Sequence, residues 1–242
     1  MSKILIDSLS ISYFQKNEEI PVLKDLNATF EDGTVNVILG KSGCGKTTLL
    51  RALLGKIDYE GDIFFDGNNI FGLPLDKRNI AYVSQEYALY PHFSVFENIA
   101  FPLKLLGTPR KEIEERVKSI ASDLGLTACL TRKPRCLSGG QQQRVAIARA
   151  LIKSPEAILF DEPLSNLDPQ RRADTRLLLK QIFLKEHPTV VYVTHDFAEA
   201  TNLADKIFVI DDGKMVFEGT PKEAIDTYSC PILNELRGMS HD

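Results

Sequence analysis

The tightest constraint on how this chain can fold lies between residues 35 and 55. Val35-Asn36-Val37-Ile38-Leu39 is a short, β-branched run of the kind buried inside a sheet. It stops at Gly40-Lys41-Ser42-Gly43-Cys44-Gly45-Lys46-Thr47. From Thr48 onward, Leu49, Leu50, Leu53 and Leu54 recur on one side of an expected helix that Gly55 would end. The turn between strand and helix fits Gly-x-x-x-x-Gly-Lys-[Ser/Thr], a phosphate-binding loop. Its glycines let the backbone curl so that successive N–H groups converge on an anion, and the helix N-terminus adds partial positive charge. In such a loop Lys46 reaches the β- and γ-phosphates of a nucleotide, and the Thr47 hydroxyl ligates magnesium. Average composition produces the pattern by chance in roughly one chain in a hundred of this length. Cys44 reads as a small residue tolerated in the loop, because no base lies beside it in sequence.

Composition narrows the classes around this loop. The chain has 242 residues, 43% hydrophobic and 26% charged, which fits one large α/β domain with a real core. A net charge of -4 supplies no global basic field, so binding to nucleic acid or anionic lipid through bulk charge is not expected. Cys44, Cys129, Cys136 and Cys230 lack zinc or disulfide spacing and read as free thiols. The first residues reach Asp7 before an apolar stretch can develop, unlike a secretory signal. No apolar run approaches the ~18 residues that span a bilayer. Any work at a membrane therefore needs spanning helices from other chains.

The remaining pattern has no repeat or low-complexity linker and reads as one unit with lobes. Short apolar runs across residues 4–30 suit an antiparallel sheet. Ile113, Val117, Ile120 and Leu124 recur at helical spacing, with Glu112–Arg116 and Glu114–Lys118 as expected i,i+4 pairs, and residues 88–153 read as mostly helical. Strand candidates at 157–160, 189–193 and 207–210, the first two separated by a helical stretch over 170–185, argue for a parallel sheet flanked by helices. Asp212-Gly213 then carries a hairpin signal before Met215-Val216-Phe217.

Ala157-Ile158-Leu159-Phe160-Asp161-Glu162 puts two acids at the end of an apolar strand, where a parallel α/β sheet assembles its ligand site. Beside a phosphate loop, Asp161 suits magnesium and Glu162 can orient or deprotonate an attacking water.

Leu137-Ser138-Gly139-Gly140-Gln141, followed by the helical segment 142–151, resembles the signature motif of ABC ATPases. An ordinary helix N-cap at Ser138 explains only part of that string. Physically the motif is a second phosphate cradle: a hydroxyl, flexible amides and a helix N-terminus. The resemblance covers residues 4–219 and implies an α/β fold: a RecA-like P-loop NTPase core of parallel sheet, an N-terminal antiparallel β subdomain and an inserted α-helical subdomain. It implies one domain over 4–236, with a core lobe at about 1–87 and 154–236 and a helical subdomain at about 88–153.

Residue by residue, the resemblance makes Lys41, Ser42, Gly43, Cys44, Gly45, Lys46, Thr47 and Thr48, together with Gly40, the nucleotide loop. Tyr13 resembles the aromatic that stacks on adenine, with Phe14 adjacent and a core aromatic as the alternative. Gln85 looks like the glutamine that touches magnesium and water, and Ser165-Asn166-Leu167-Asp168 like the dimer-contact loop, with Asp168 also placed to cap the next helix. His195 resembles the switch histidine that contacts the γ-phosphate and positions Glu162. Implied catalytic residues are thus Lys46, Glu162 and His195; implied metal ligands are Thr47, Gln85 and Asp161. Ser138, Gly139, Gly140 and Gln141 would serve ATP held by the opposing subunit.

The expected activity is hydrolysis of ATP with Mg2+ in a head-to-tail dimer, homodimeric or paralogous, seated peripherally on the cytoplasmic face of the membrane. Transmembrane permease subunits, and a solute-binding protein, are the expected partners. Residues 85–101 resemble the corresponding stretch of bacterial import ATPases for sugars and polyamines. Many of those carry a C-terminal regulatory β domain; the chain ends at Asp242, and regulation through such a domain is not expected. A soluble ABC ATPase of DNA repair or of ribosomes is the rival class, against which stands the lack of a coiled-coil insertion or a second ATPase half. A non-catalytic nucleotide-binding regulator is opposed by intact Lys46, Glu162 and His195.

Overall fold

The computed structural model describes residues 2–16, 18–74 and 77–239. Its centre is a six-stranded sheet built from β3 (Val35–Leu39), β6 (Ile80–Val83), β7 (Ala157–Asp161), β8 (Thr189–Thr194), β9 (Lys206–Asp211) and β10 (Lys214–Gly219), ordered β10-β9-β3-β8-β7-β6. Strands β9 to β6 run parallel, and β10 pairs antiparallel at the edge. Every residue of β3, β7 and β8 is buried, as their unbroken apolar runs require of strands covered on both faces.

The period-two alternation of these strands divides the core. Ile158, Phe160, Val190 and Tyr192 face one apolar cluster, which holds α2 (Val95–Leu105), α3 (Arg110–Asp123), α4 (Gly139–Leu151), α5 (Pro169–Glu186), α6 (Phe197–Leu203), α7 (Pro221–Asp226) and α8 (Pro231–Met239). Ala157, Leu159, Val191 and Val193 face the other, where α1 (Lys46–Leu53) packs with an antiparallel sheet of β1 (Ile4–Gln15), β2 (Glu18–Phe30), β4 (Glu60–Phe65) and β5 (Asn68–Asn69). The two sheets are stitched where Lys24 N–H donates to Gly213 O at 2.9 Å.

Some details depart from the sequence reading. Helix α1 starts at Lys46, two residues before Thr48, so the last loop residues form its first turn. Glu114 pairs with Arg110 at 2.9 Å and not with Lys118, because it is four residues from both and the guanidinium takes it, while Arg116–Glu112 forms at 2.6 Å as expected. Between α3 and α4 the chain has only two 3-10 turns, Thr127–Cys129 and Pro134–Cys136. At the β9–β10 hairpin, Asp212 and Gly213 both take positive φ, 44° and 75°, the two-residue turn whose twist matches antiparallel strands. Among the described residues no helix is long and apolar enough to cross a membrane.

Candidate active site

Strand register assembles the site. Strand β8 lies between β3 and β7; Leu39 sits opposite Thr194, and Asp161 opposite Val193. The next residue of each strand, Gly40, Glu162 and His195, therefore emerges at one edge of the sheet. Parallelism brings together residues that are far apart in the chain.

The loop from Gly40 curls around its own ammonium. Lys46 Nζ donates to Gly40 O and Lys41 O, both at 2.8 Å, and lies 3.7 Å from Glu162 Oε1; its side chain is 4% exposed. A buried cation persists only with such partners. Gly40 admits no side chain, since a Cβ there would fall 2.5 Å from Ile210 O and 2.7 Å from Cys44 Sγ. Gly45 caps α1 at φ 107°, and its Cβ would meet Leu23 Cδ2 at 2.5 Å. The first bond of this helix runs from Leu49 N to Gly45 O, so the amides of Lys46, Thr47 and Thr48 have no intrahelical acceptor. Those amides, the helix dipole and a buried ammonium make a cradle that fits an anion. Gly43, at φ 83°, faces open space, as does a loop that must admit a ligand. Burial pushes the Cys44 thiol up, which leaves it a poor nucleophile.

Asp161 is held from both sides: Oδ1 accepts from Thr47 Oγ1 at 2.9 Å and Oδ2 from Tyr82 OH at 3.0 Å. Burial, then the Asp161 charge, raises the Tyr82 phenol far above its ordinary range, so it stays a donor. A hydroxyl and a carboxylate so close are hard oxygen donors, the set that fits Mg2+.

Glu162 takes φ 45° just past the strand, with its N–H on Val193 O at 3.0 Å and its carbonyl accepting from Ser165 Oγ at 2.8 Å. Its carboxylate Oε2 is 3.0 Å from Nδ1 of half-exposed His195. The hydrogen bond from His195 lowers the Glu162 pKa first, with the His195 and Lys46 charges adding to it; the same bond raises His195. Glu162 is thereby kept ionised, an acceptor ready to orient a water.

The remaining expected residues gather less closely. Gln85 is exposed; its main-chain carbonyl accepts from Asn166 Nδ2 at 2.9 Å, tying the backbone there to the loop before α5. Ser138 caps α4 in a reciprocal box with Gln141, whose amide N–H meets Ser138 Oγ at 3.4 Å. A Cβ added at Gly139 would meet Leu167 Cδ2, and one at Gly140 Arg171 Cδ, both at 3.9 Å, so within this chain there is room for a side chain at either position. Among the described residues no hydrogen bond or ion pair joins 138–141 to 40–48. Asp168 caps α5, accepting from Arg171 N at 3.1 Å. Tyr13 and Phe14 are 37% and 80% exposed, so neither is a core aromatic.

Two participants were not singled out in the sequence. Tyr82 sits in the otherwise apolar strand Ile80–Val83, and only the pairing of that strand with β7 brings its phenol to Asp161. Gln143, fully buried on α4, donates to Pro163 O at 2.8 Å, linking the helix that starts at Ser138 to the residue after Glu162. Nothing in a glutamine-rich string distinguishes it from Gln141 and Gln142 before the packing is known.

A family profile for ABC transporters matches residues 23–165 of this chain. The chain belongs to the ABC transporter family. It is 48% identical over 208 residues to an uncharacterized ABC transporter ATP-binding protein of Sinorhizobium fredii, covering 86% of this chain and 56% of that one. It is 45% identical over 215 residues to the trehalose/maltose import ATP-binding protein MalK of Thermococcus litoralis, covering 86% and 58%. The chain thus spans a little over half the length of these relatives. Among solved structures it resembles the ATP-binding cassette MJ0796 in a dimeric post-hydrolysis state bound to ADP and Pi, with a TM-score of 0.81 and 31% identity, over 90% of this chain and 98% of that one. The ABC fold so identified is the α/β P-loop NTPase class with an antiparallel β subdomain.

Proposed function

We propose that this chain binds and hydrolyses ATP and so powers solute transport, in the import direction, through separate transmembrane subunits. The observation that carries the reading is the convergence of Lys46, the Thr47–Asp161 pair and the Glu162–His195 pair on one sheet edge. Lys46 and the first-turn amides of α1 would hold the phosphates, and Thr47 and Asp161, joined by Gln85, would hold Mg2+. That ion, when bound, neutralises charge on the β- and γ-phosphate oxygens. Glu162 orients the attacking water, and His195 keeps the Glu162 carboxylate in place. Tyr13 is assigned to the adenine.

Ser138, Gly139, Gly140 and Gln141 open a second helix N-terminus and have no hydrogen-bonded tie to this chain's own phosphate loop, which supports their serving the nucleotide of a head-to-tail partner. The dimeric state of MJ0796 supports the same arrangement. The MalK relatives are named as import ATP-binding proteins, which supports import; permease partners, a solute-binding protein and a peripheral seat on the cytoplasmic face of the membrane are assigned along with that reading. The domain is taken as 4–236, with its helical part at about 88–153.

The decisive experiment is Glu162→Gln in the purified chain and in its complex with the permease. ATP affinity should stay within about threefold and turnover should fall by about 10²-fold or more, with a nucleotide-trapped dimer on size exclusion. Undiminished hydrolysis would remove Glu162 from the mechanism, and failure of a polytopic membrane protein to copurify would remove the transport assignment.

A further inference from the structure

Behind His195, away from the phosphate loop, lies a polar network that the assignments above do not use. Thr194 Oγ1, at the end of β8, donates to Glu199 Oε2 at 2.8 Å and accepts from Asp196 N at 3.0 Å. Glu199 is 3% exposed, takes a second bond from Tyr192 OH at 3.0 Å, and sends its own N–H to Asp196 Oδ1 at 2.9 Å. The backbone on both sides of His195 is thus clamped to α6. Burial raises the Glu199 pKa, and neutral or ionised it presents the same acceptor oxygen to the two hydroxyls.

The other oxygen of Asp196 faces a second loop. Arg172, on the first turns of α5, places Nη1 3.5 Å from Asp196 Oδ2, while Nη2 lies 3.4 Å from Ser165 O and 3.3 Å from Leu167 O. Its Nε is buried with no partner among the described residues. Ser165 in turn donates to the carbonyl of Glu162. Arg172 therefore stands between the loop that carries His195 and the loop that follows Glu162, and all its bonds are long. A guanidinium with an idle buried donor and three stretched bonds is a link that can tighten when either loop shifts.

We propose that Arg172, Asp196 and Glu199 are positioning residues that couple the 163–168 loop to the His195 loop, so that the seating of one sets the Glu162–His195 contact in the other. The inference rests on the ATPase reading for its catalytic consequence. In that reading residues 165–168 face the partner subunit, and the link would pass the partner's arrival to His195. The alternative is that Asp196 merely caps α6 and Arg172 merely satisfies carbonyls.

The variants Arg172→Ala and Asp196→Asn, singly and together, separate these readings, since Asn keeps the cap on α6 but removes the charge facing Arg172. Hydrogen–deuterium exchange on the full chain without nucleotide should show each single variant raising exchange in both 163–168 and 194–196, with the double variant adding nothing. ATP turnover of the chain with its permease should fall about tenfold in each single variant and in the double, with KM for ATP within about twofold. Glu199→Gln should retain turnover and Glu199→Leu should lose it. The inference is overturned if each variant loosens only its own loop, or if the losses in turnover multiply in the double variant. If the wild-type chain hydrolyses no ATP, the ATPase reading fails, while the exchange measurement still decides whether the loops are coupled.

Discussion

Arg78 offers a test of how the phosphate loop is held from behind. Its side chain is 5% exposed, and among the described residues it forms no ion pair. Its charge is met by four carbonyls: Nε donates to Leu73 O at 2.8 Å, Nη1 to Ala52 O at 3.2 Å and Leu53 O at 2.8 Å, and Nη2 to Ile70 O at 3.0 Å. Ala52 and Leu53 end α1, so a guanidinium sits at the negative end of the short helix whose positive end makes the anion cradle. Gly55 makes room for it, since a Cβ there would fall 2.5 Å from Nη2.

Arg78→Ala strips all four bonds. Ala52 O keeps Gly55 N and Ile70 O keeps Leu73 N, but Leu53 O and Leu73 O lose the donor found for them. At about 1–3 kcal/mol for each stranded acceptor, the two together give a loss of about 2–6 kcal/mol. With a urea m-value of about 3 kcal/mol/M, the unfolding midpoint should drop by about 0.7–2 M. Arg78→Met fills much of the volume without the donors and should recover less than half of that loss. Nucleotide titration of the folded variant should also show weaker binding, because α1 carries Lys46 and Thr47. A midpoint shift under about 0.3 M for Arg78→Ala, or full recovery by Arg78→Met, would refute the argument and leave packing as the sole role.

Two further outcomes are expected. Gly45→Ala forces a side chain into φ 107° and against Leu23, which should cost at least about 1–2 kcal/mol and weaken binding of a fluorescent ATP analogue about tenfold; unchanged binding would contradict the need for glycine there. The Glu162–His195 pair sets a pH window. His195 has a raised pKa, so its contribution is full below the ordinary 6.5 and is lost as pH rises through the raised value; Glu162 has a lowered pKa, so its contribution is present above the ordinary 4.5 and is lost as pH falls through the lowered value. The unfolding free energies of wild type and His195→Gln from urea titration should therefore differ more at about pH 5.5 than at about pH 8.5, by under about 1 kcal/mol because the ring is half exposed. An equal difference at the two pH values would argue that His195 does not pair with Glu162.

What the sequence by itself determined is whatever short-range chemistry dictates. The run 35–39 stops at a glycine loop because buried β-branched residues cannot turn, and the spacing of Gly40, Gly43, Gly45 and Lys46 defines an anion cradle before any neighbour is known. Asp212-Gly213 specified its hairpin for the same local reason. The signature at 137–141 identified the family and hence the other expected residues. Ion-pair choice was less legible, since Glu114 is equidistant in sequence from two cations.

Only the tertiary structure decided which strand ends meet. That Glu162 lies beside His195, Tyr82 beside Asp161 and Arg172 between two loops follows from the strand order β3-β8-β7-β6 and its register, a non-local pairing that no window of sequence encodes. Gln143 and Arg78 were invisible for a related reason: a buried polar side chain is defined by the carbonyls around it. Those of Pro163, Ala52, Leu53, Ile70 and Leu73 reach them only once the sheet and its helices have packed.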